Sequence, residues 1–298
     1  MERIYVCNTG SDSISSINLP DLSSNSILIK NNEDPVGPHG ICLWNDYLLT
    51  ANNYNNSLSK ISIKDNRLIS YYIGAHCNDV KTYNQLAYIV CGEGNSILVF
   101  DLEKEKIISE IPSGNYPHSI EINQLTGLGV IANMESDCIT VIDCNENKAL
   151  FSYKVGEYPL KAMFSQNGQY IYVNESKIGS EERGCLRVIR VNNQLTSEKV
   201  ITVGKYPVDF CLDEEKEVGY VTNFGEGSIS IVHFIKGEIK RILVGGMPRG
   251  IIKVKNSIFV GDNLGDRVLK IDINKKVIIP VGKEPNGMTY YSDKSIIN

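Results

Sequence analysis

Apolar residues along this chain fall in short runs, many alternating with polar ones, and Gly, Asn or Asp breaks the pattern every eight to twelve residues. Residues 218–248 show one unit in full. Val218-Gly-Tyr-Val-Thr-Asn223 is followed by the polar turn Phe-Gly-Glu-Gly and by Ser228-Ile-Ser-Ile-Val-His-Phe234. A Lys-Gly turn leads to Glu238-Ile-Lys-Arg-Ile-Leu-Val244, and Gly245-Gly-Met-Pro248 closes the unit. An extended chain turns successive side chains to opposite faces, so β-branched and aromatic runs of this length predict strands. No i, i+3, i+4, i+7 stripe competes. Each unit reads as four short strands.

The closing turn recurs. Clear copies are Gly156-Glu-Tyr-Pro159, Gly204-Lys-Tyr-Pro207 and Gly282-Lys-Glu-Pro285, with looser ones at Gly114-Asn-Tyr-Pro117, at Gly74-Ala-His-Cys77 and in the segment ending at Pro38. These anchors are spaced by 39, 40, 42, 48, 41 and 37 residues. Seven units of about 41 residues occupy nearly all of the 298, although a typical length per domain would suggest two domains. The expectation is all-β, a seven-bladed β-propeller of four-stranded blades forming a single domain over residues 1–298. The chain starts in the second strand of a unit (Ile4-Tyr-Val-Cys7) and finishes in a first strand (Asn286-Gly-Met-Thr-Tyr-Tyr291). One C-terminal inner strand should therefore pair with three N-terminal strands and close the ring, hiding the edges an open ring would expose.

Tyr220-Val-Thr-Asn223 followed by Gly227-Ser-Ile-Ser-Ile-Val232 resembles the signature of the YVTN repeat propellers. Variants stand at Tyr5-Val-Cys-Asn8, Leu49-Thr-Ala-Asn52, Ile131-Ala-Asn133, Tyr172-Val-Asn174 and Val260-Gly-Asp262, and the resemblance spans residues 3–291. It implies the fold. Propellers of this kind include binding proteins, lactonase-like enzymes and subunits of redox complexes, so function must be argued from a site.

Composition narrows the classes. With 30 basic and 35 acidic side chains, a net charge of −5 and an apolar fraction of 42%, disorder and a strongly basic nucleic-acid binder are excluded. No run approaches the roughly 20 apolar residues of a membrane span. The N-terminus enters a strand pattern with no signal-peptide core, so a cytoplasmic location is expected. Eight cysteines, at 7, 42, 77, 91, 138, 144, 185 and 211, show no C-x-x-C or zinc-finger spacing. Most lie in apolar runs, and they read as reduced, structural thiols.

Strand order locates a site. The anchor turns enter the inner strands, and the turns after Asn223 and its equivalents lie at the same end, so both sets crowd one mouth of the channel. The two variable residues after each anchor are His39-Gly40, Asn78-Asp79, His118-Ser119, Leu160-Lys161, Val208-Asp209, Arg249-Gly250 and Asn286-Gly287. The apolar residue that follows each pair is blade-to-blade core. Both charge signs appear around the ring, which suits a small polar or zwitterionic ligand and lacks the positive track a nucleic acid needs. Asn78, Lys161, Asp209, Arg249 and Asn286 are the expected ligand contacts. His39, Asp79 and His118, on three consecutive blades, are the candidate catalytic or divalent-metal set. His76 precedes an anchor and faces the same mouth, whereas His233 lies on a third strand and reads as structural. An insertion, Glu175-Ser-Lys-Ile-Gly-Ser-Glu-Glu-Arg-Gly184, accounts for the spacing of 48. It is either a surface excursion or a partial lid carrying Glu181, Glu182 and Arg183. Tyr116, Tyr158 and Tyr206, one residue before their anchors, read as turn packing.

Pro38-His39-Gly40-Ile41 also resembles a turn of the virginiamycin B lyase propellers, which implies a histidine in metal-assisted lyase chemistry. The acid that precedes Pro-His in that family is Gly37 here, and Glu284 holds the matching place in another repeat. Two functions follow. The first is a binding propeller taking a small polar molecule or a protein partner at the mouth, with no certain cofactor. The second is a metal-assisted lactone hydrolase or lyase, with Lys161 and Arg249 holding an anionic substrate. They part on whether His39, Asp79 and His118 converge on one point.

Overall fold

The computed structural model describes residues 1–30, 34–192, 194–272 and 275–293. Among these, 28 strands, β1 to β28, form seven four-stranded antiparallel sheets. Blade 1 is β4–β7 and begins with β4 (Pro38–Trp44); blades 2 to 6 follow four strands at a time. Their inner strands are β8 (Cys77–Tyr83), β12 (Pro117–Asn123), β16 (Pro159–Phe164), β20 (Pro207–Asp213) and β24 (Pro248–Val254). Blade 7 joins β28 (Pro285–Ser292) to β1 (Glu2–Asn8), β2 (Ser13–Asn18) and β3 (Ser24–Leu28), with Glu2 paired to Ser292 and Tyr5 to Thr289. The expected closure is therefore present. No helix among the described residues is long and apolar enough to cross a membrane.

Packing between blades makes the ring. Seven apolar clusters each draw on two neighbouring blades, for example Leu49 and Ala51 with Val80 and Ile89. Ile41, Val80, Ile120, Ala162 and Phe210, the third residues after their anchors, are at most 2% exposed. The cysteines are free, and all but the half-buried Cys211 are buried. Burial pushes the Cys42 and Cys144 thiols up to about 12, as expected of inert core thiols.

Polar residues of the repeat do structural work. Asn8, Asn52 and Asn223 are fully buried, and each donates its amide Nδ2 to hydroxyls five and seven residues later. The partners are Ser13 and Ser15, Ser57 and Ser59, and Ser228 and Ser230, at 2.8–3.1 Å. Asn133 does the same with Cys138 and Thr140. In two of the blades where the motif departs, an ion pair takes over. Asp262 meets Arg267 at 2.8 Å, and Glu175 meets Arg187 across the hairpin that carries the insertion. In five blades the turn after the motif then clips the next blade. Asp12, Asn56, Asn95, Asp137 and Asp266 adopt left-handed backbone, which Asn and Asp tolerate, and their side chains accept the N–H of Gly37, His76, Tyr116, Tyr158 and Glu284. These five donor residues are left-handed too, which fixes the chain direction into their inner strands.

Candidate functional site at the channel mouth

Inner strands open with a bulge. Pro38 pairs with Asn52 and Gly40 with Ala51, leaving His39 unpaired, and the same shift recurs at Asn78, His118, Leu160 and Val208. A bulge re-aims one residue, so the first and second positions after the anchor both turn to the channel, and the fourth follows by alternation. Glycine at the second position marks close blade contact. A Cβ on Gly250 would stand 2.0 Å from the Asn286 carbonyl oxygen, and one on Gly287 2.5 Å from that of His39.

Two connected spaces result. An outer recess of about 380 Å³ is floored by His39, His118, Arg249 and Asn286 and walled by Tyr54, Tyr116 and Phe224, with Ile178 and Met134 at its edge. Beneath it a channel of about 310 Å³ is lined by Lys81, Glu121, Lys161 and Asp209.

His39, His118 and Arg249 converge. The two imidazoles meet edge to face with centroids 5.6 Å apart, although a whole blade lies between their strands. His39 Nδ1 lies 2.8 Å from the Asn78 carbonyl and His118 Nδ1 2.9 Å from that of Leu160. A carbonyl only accepts, so both Nδ1 atoms carry the proton. His39 Nε2 is then a bare acceptor, and Arg249 Nη2 donates to it at 3.0 Å. His118 Nε2 is equally bare and has no hydrogen-bond partner among the described residues. Burial and the Arg249 charge keep both rings neutral, and His118 is lowered to about 4. Arg249 Nε donates to Asn286 Oδ1 at 3.1 Å. The guanidinium therefore has two neutral partners and, among the described residues, no ion pair.

Asp79 does not join this group. Its Oδ1 accepts the Val80 N–H at 2.9 Å and its Oδ2 the Ile120 N–H of the next blade at 3.1 Å. Asp209 repeats the arrangement with Phe210 at 2.8 Å and Ile251 at 3.2 Å. Both carboxylates staple adjacent inner strands. Asn78 likewise donates Nδ2 to the Pro117 carbonyl at 3.2 Å. Both nitrogens of His39 and both oxygens of Asp79 are thus engaged in hydrogen bonds within the ring. Among the described residues no group of three His, Cys, Asp or Glu is arranged to hold a metal ion.

Lys161 lies deeper, in a trio that includes two residues the sequence reading passed over. Glu121 Oε1 is 2.8 Å from Lys161 Nζ and 3.2 Å from Lys81 Nζ. Lys81 and Glu121 occupy the fourth position after their anchors, where strand alternation alone points to the channel. Tyr54, Tyr116 and Phe224 were also legible in principle as turn residues at the mouth. His76 sits there as expected, its ring 5.4 Å from that of Tyr116. In the insertion, Glu181, Glu182 and Arg183 pair with Lys205, Lys177 and Glu226. The residue it brings to the recess is Ile178.

No protein-family model matches the chain, and no curated protein matches it in sequence. Solved structures do match in fold. Hydrazine synthase from Kuenenia stuttgartiensis superposes with a TM-score of 0.78 at 17% identity, covering 87% of this chain and 90% of that one. A protein described as a 6-phosphogluconolactonase from Bacteroides fragilis gives 0.76 at 15% identity over 98% of both chains. A catalytically inactive virginiamycin B lyase from Staphylococcus aureus, with quinupristin, gives 0.71 at 16% identity over 96% of this chain and 92% of that one. At such identities the likeness concerns the fold.

Proposed function

We propose that this β-propeller is a binding protein whose channel mouth takes a small organic anion, its charged group on Arg249 and its body against Tyr54, Tyr116 and Phe224. The observation that carries the reading is the state of Arg249, a guanidinium at the floor of a recess with only neutral partners. Asp209 and Glu284 act on this half-buried guanidinium only from a distance, and a ligand carboxylate or phosphate supplies a paired counter-charge through charge-assisted, bidentate hydrogen bonds. Asn286 holds the guanidinium in place, and His118 Nε2 accepts from a ligand hydroxyl or amine. Lys161 is engaged by Glu121, and Asp79, Asp209 and Asn78 shape the wall. The repeat is read as YVTN-like on the buried Asn and its two hydroxyl partners. Eight free cysteines favour a reducing, cytoplasmic setting.

The lyase or lactonase alternative has one supporting observation, the unprotonated His118 Nε2 beside Arg249, which has the form of a general base near an anion site. For its metal-assisted version, no group of three His, Cys, Asp or Glu among the described residues is arranged to hold the ion.

Calorimetric titration with hydroxycarboxylates, simple carboxylates and sugar phosphates tests the reading. At least one class should bind, and Arg249→Met should weaken it by about tenfold or more, the loss of about 1.4 kcal/mol. Absence of binding by every class, or unchanged affinity in Arg249→Met, overturns it.

A further inference from the structure

The face opposite the mouth carries a second cavity, of about 350 Å³, between blades 4 and 5. Tyr170 and Tyr172 of β17 (Tyr170–Glu175) and Phe234, just beyond β22 (Ser228–His233), form its wall. The Tyr170 and Tyr172 rings have centroids 6.5 Å apart, and those of Tyr172 and Phe234 are 4.9 Å apart, tilted by 43° and 42°. Around them stand three carboxylates, Glu214 and Glu217 from the turn after β20 and Glu198 from β19 (Leu195–Thr202).

Two observations make this more than an acidic surface. Tyr172 is 9% exposed and lines the cavity, yet its hydroxyl has no hydrogen-bond partner among the described residues. The hydroxyl oxygen itself reaches the open cavity, so it is free to bond a ligand seated there. Burial and the nearby Glu214 push that hydroxyl up to about 12, and it stays protonated. In addition, the adjoining Tyr170 ring already takes a cation. Arg190 Cζ lies 5.8 Å from its centroid while the guanidinium pairs with Glu198 at 2.9 Å. The other cation at the cavity, Lys199, donates to the Phe234 carbonyl at 2.8 Å. Glu214 accepts the Gln166 N–H through Oε1 at 2.6 Å, and the Glu217 carboxylate has no partner among the described residues.

We infer that this cavity is a binding site for an organic ammonium group, seated against the Tyr172 and Phe234 rings with Glu214 and Glu217 as its counter-charge. Aromatic faces attract cations through their quadrupole, and carboxylates at the rim add charge and draw the cation in. A primary ammonium also donates to the Tyr172 hydroxyl. The group is carried either by a free amine or by a lysine side chain of another protein. The site shares no residue with the channel mouth and stands independently of the function proposed there.

NMR titration of the full-length protein tests it with n-butylammonium, n-butyltrimethylammonium and neutral n-butanol. Both cations should saturate and butanol should not. Glu214→Gln/Glu217→Gln should weaken both by roughly fivefold. Tyr172→Phe, which keeps the ring, should weaken n-butylammonium alone. A lysine pentapeptide against its norleucine counterpart separates the sources: tighter binding of the lysine peptide than of the free amine assigns a protein side chain, and equal binding assigns a free amine. Butanol binding as well as the cations, saturation by neither cation, or unchanged affinity in the double glutamine variant overturns the inference.

Discussion

Glu121→Gln is the sharpest perturbation of the channel because it removes one charge while keeping the side chain's shape. The carboxylate lies between two ammonium groups, at 2.8 Å from Lys161 and 3.2 Å from Lys81, and is 24% exposed. Burial by itself would raise its pKa. The two lysines outweigh burial and hold it at about 2, against 4.5 for the free side chain. A difference of roughly 2.5 units at 1.36 kcal/mol per unit makes the ionised form worth about 3 kcal/mol to the folded state. The folded value lies below the unfolded one, so this stability is fully present above pH 4.5 and is lost as pH falls toward 2. Urea unfolding at pH 7 should show Glu121→Gln destabilised by about 3 kcal/mol, with Lys81 and Lys161 left without their shared counter-charge. At pH 3 the wild-type advantage should shrink to about 1.4 kcal/mol. A difference that does not change between pH 7 and pH 3 would refute the argument, because the loss would then not come from the ionised carboxylate.

Other expectations follow from the same geometry. Asn223→Ala removes bonds to Ser228, Ser230 and the Gly204 N–H, three contacts of 2.9–3.0 Å. At about 1 kcal/mol each, unfolding should register a loss of about 3 kcal/mol. Asp79→Ala strands the Val80 and Ile120 amides and should cost about 2 kcal/mol or more by urea unfolding, while anion affinity at the mouth stays within about twofold of the parent. The His118 ring should titrate by NMR near 4, so anion affinity should be flat between pH 6 and pH 8. A transition near pH 6.5 would show instead a solvated ring.

The architecture was legible because it is periodic. Anchors every 37 to 48 residues determine the blade count, and the two chain ends disclose the shared blade. The role of Asn223 was half legible: its spacing to Ser228 and Ser230 is printed in the chain, but the bonds exist only once the hairpin folds. The site divided differently. Position after the anchor placed His39, His118, Arg249 and Asn286 at the mouth. It did not distinguish them from Asp79 and Asp209, whose carboxylates reach amides 41 and 42 residues ahead. Nor did it join Arg249 to His39, which are 210 residues apart in the chain with one blade between them in the ring. Contacts between blades depend on how neighbouring sheets tilt together, and no local pattern encodes that.

A crystal structure with the tightest-binding anion from the titration panel tests the central claim most directly. The account predicts its carboxylate or phosphate oxygens within hydrogen-bonding distance of the Arg249 guanidinium, with the rest of the molecule against Tyr54, Tyr116 or Phe224. An anion seated instead between Lys81 and Lys161, or outside the recess with Arg249 still bonded only to His39 and Asn286, would contradict it.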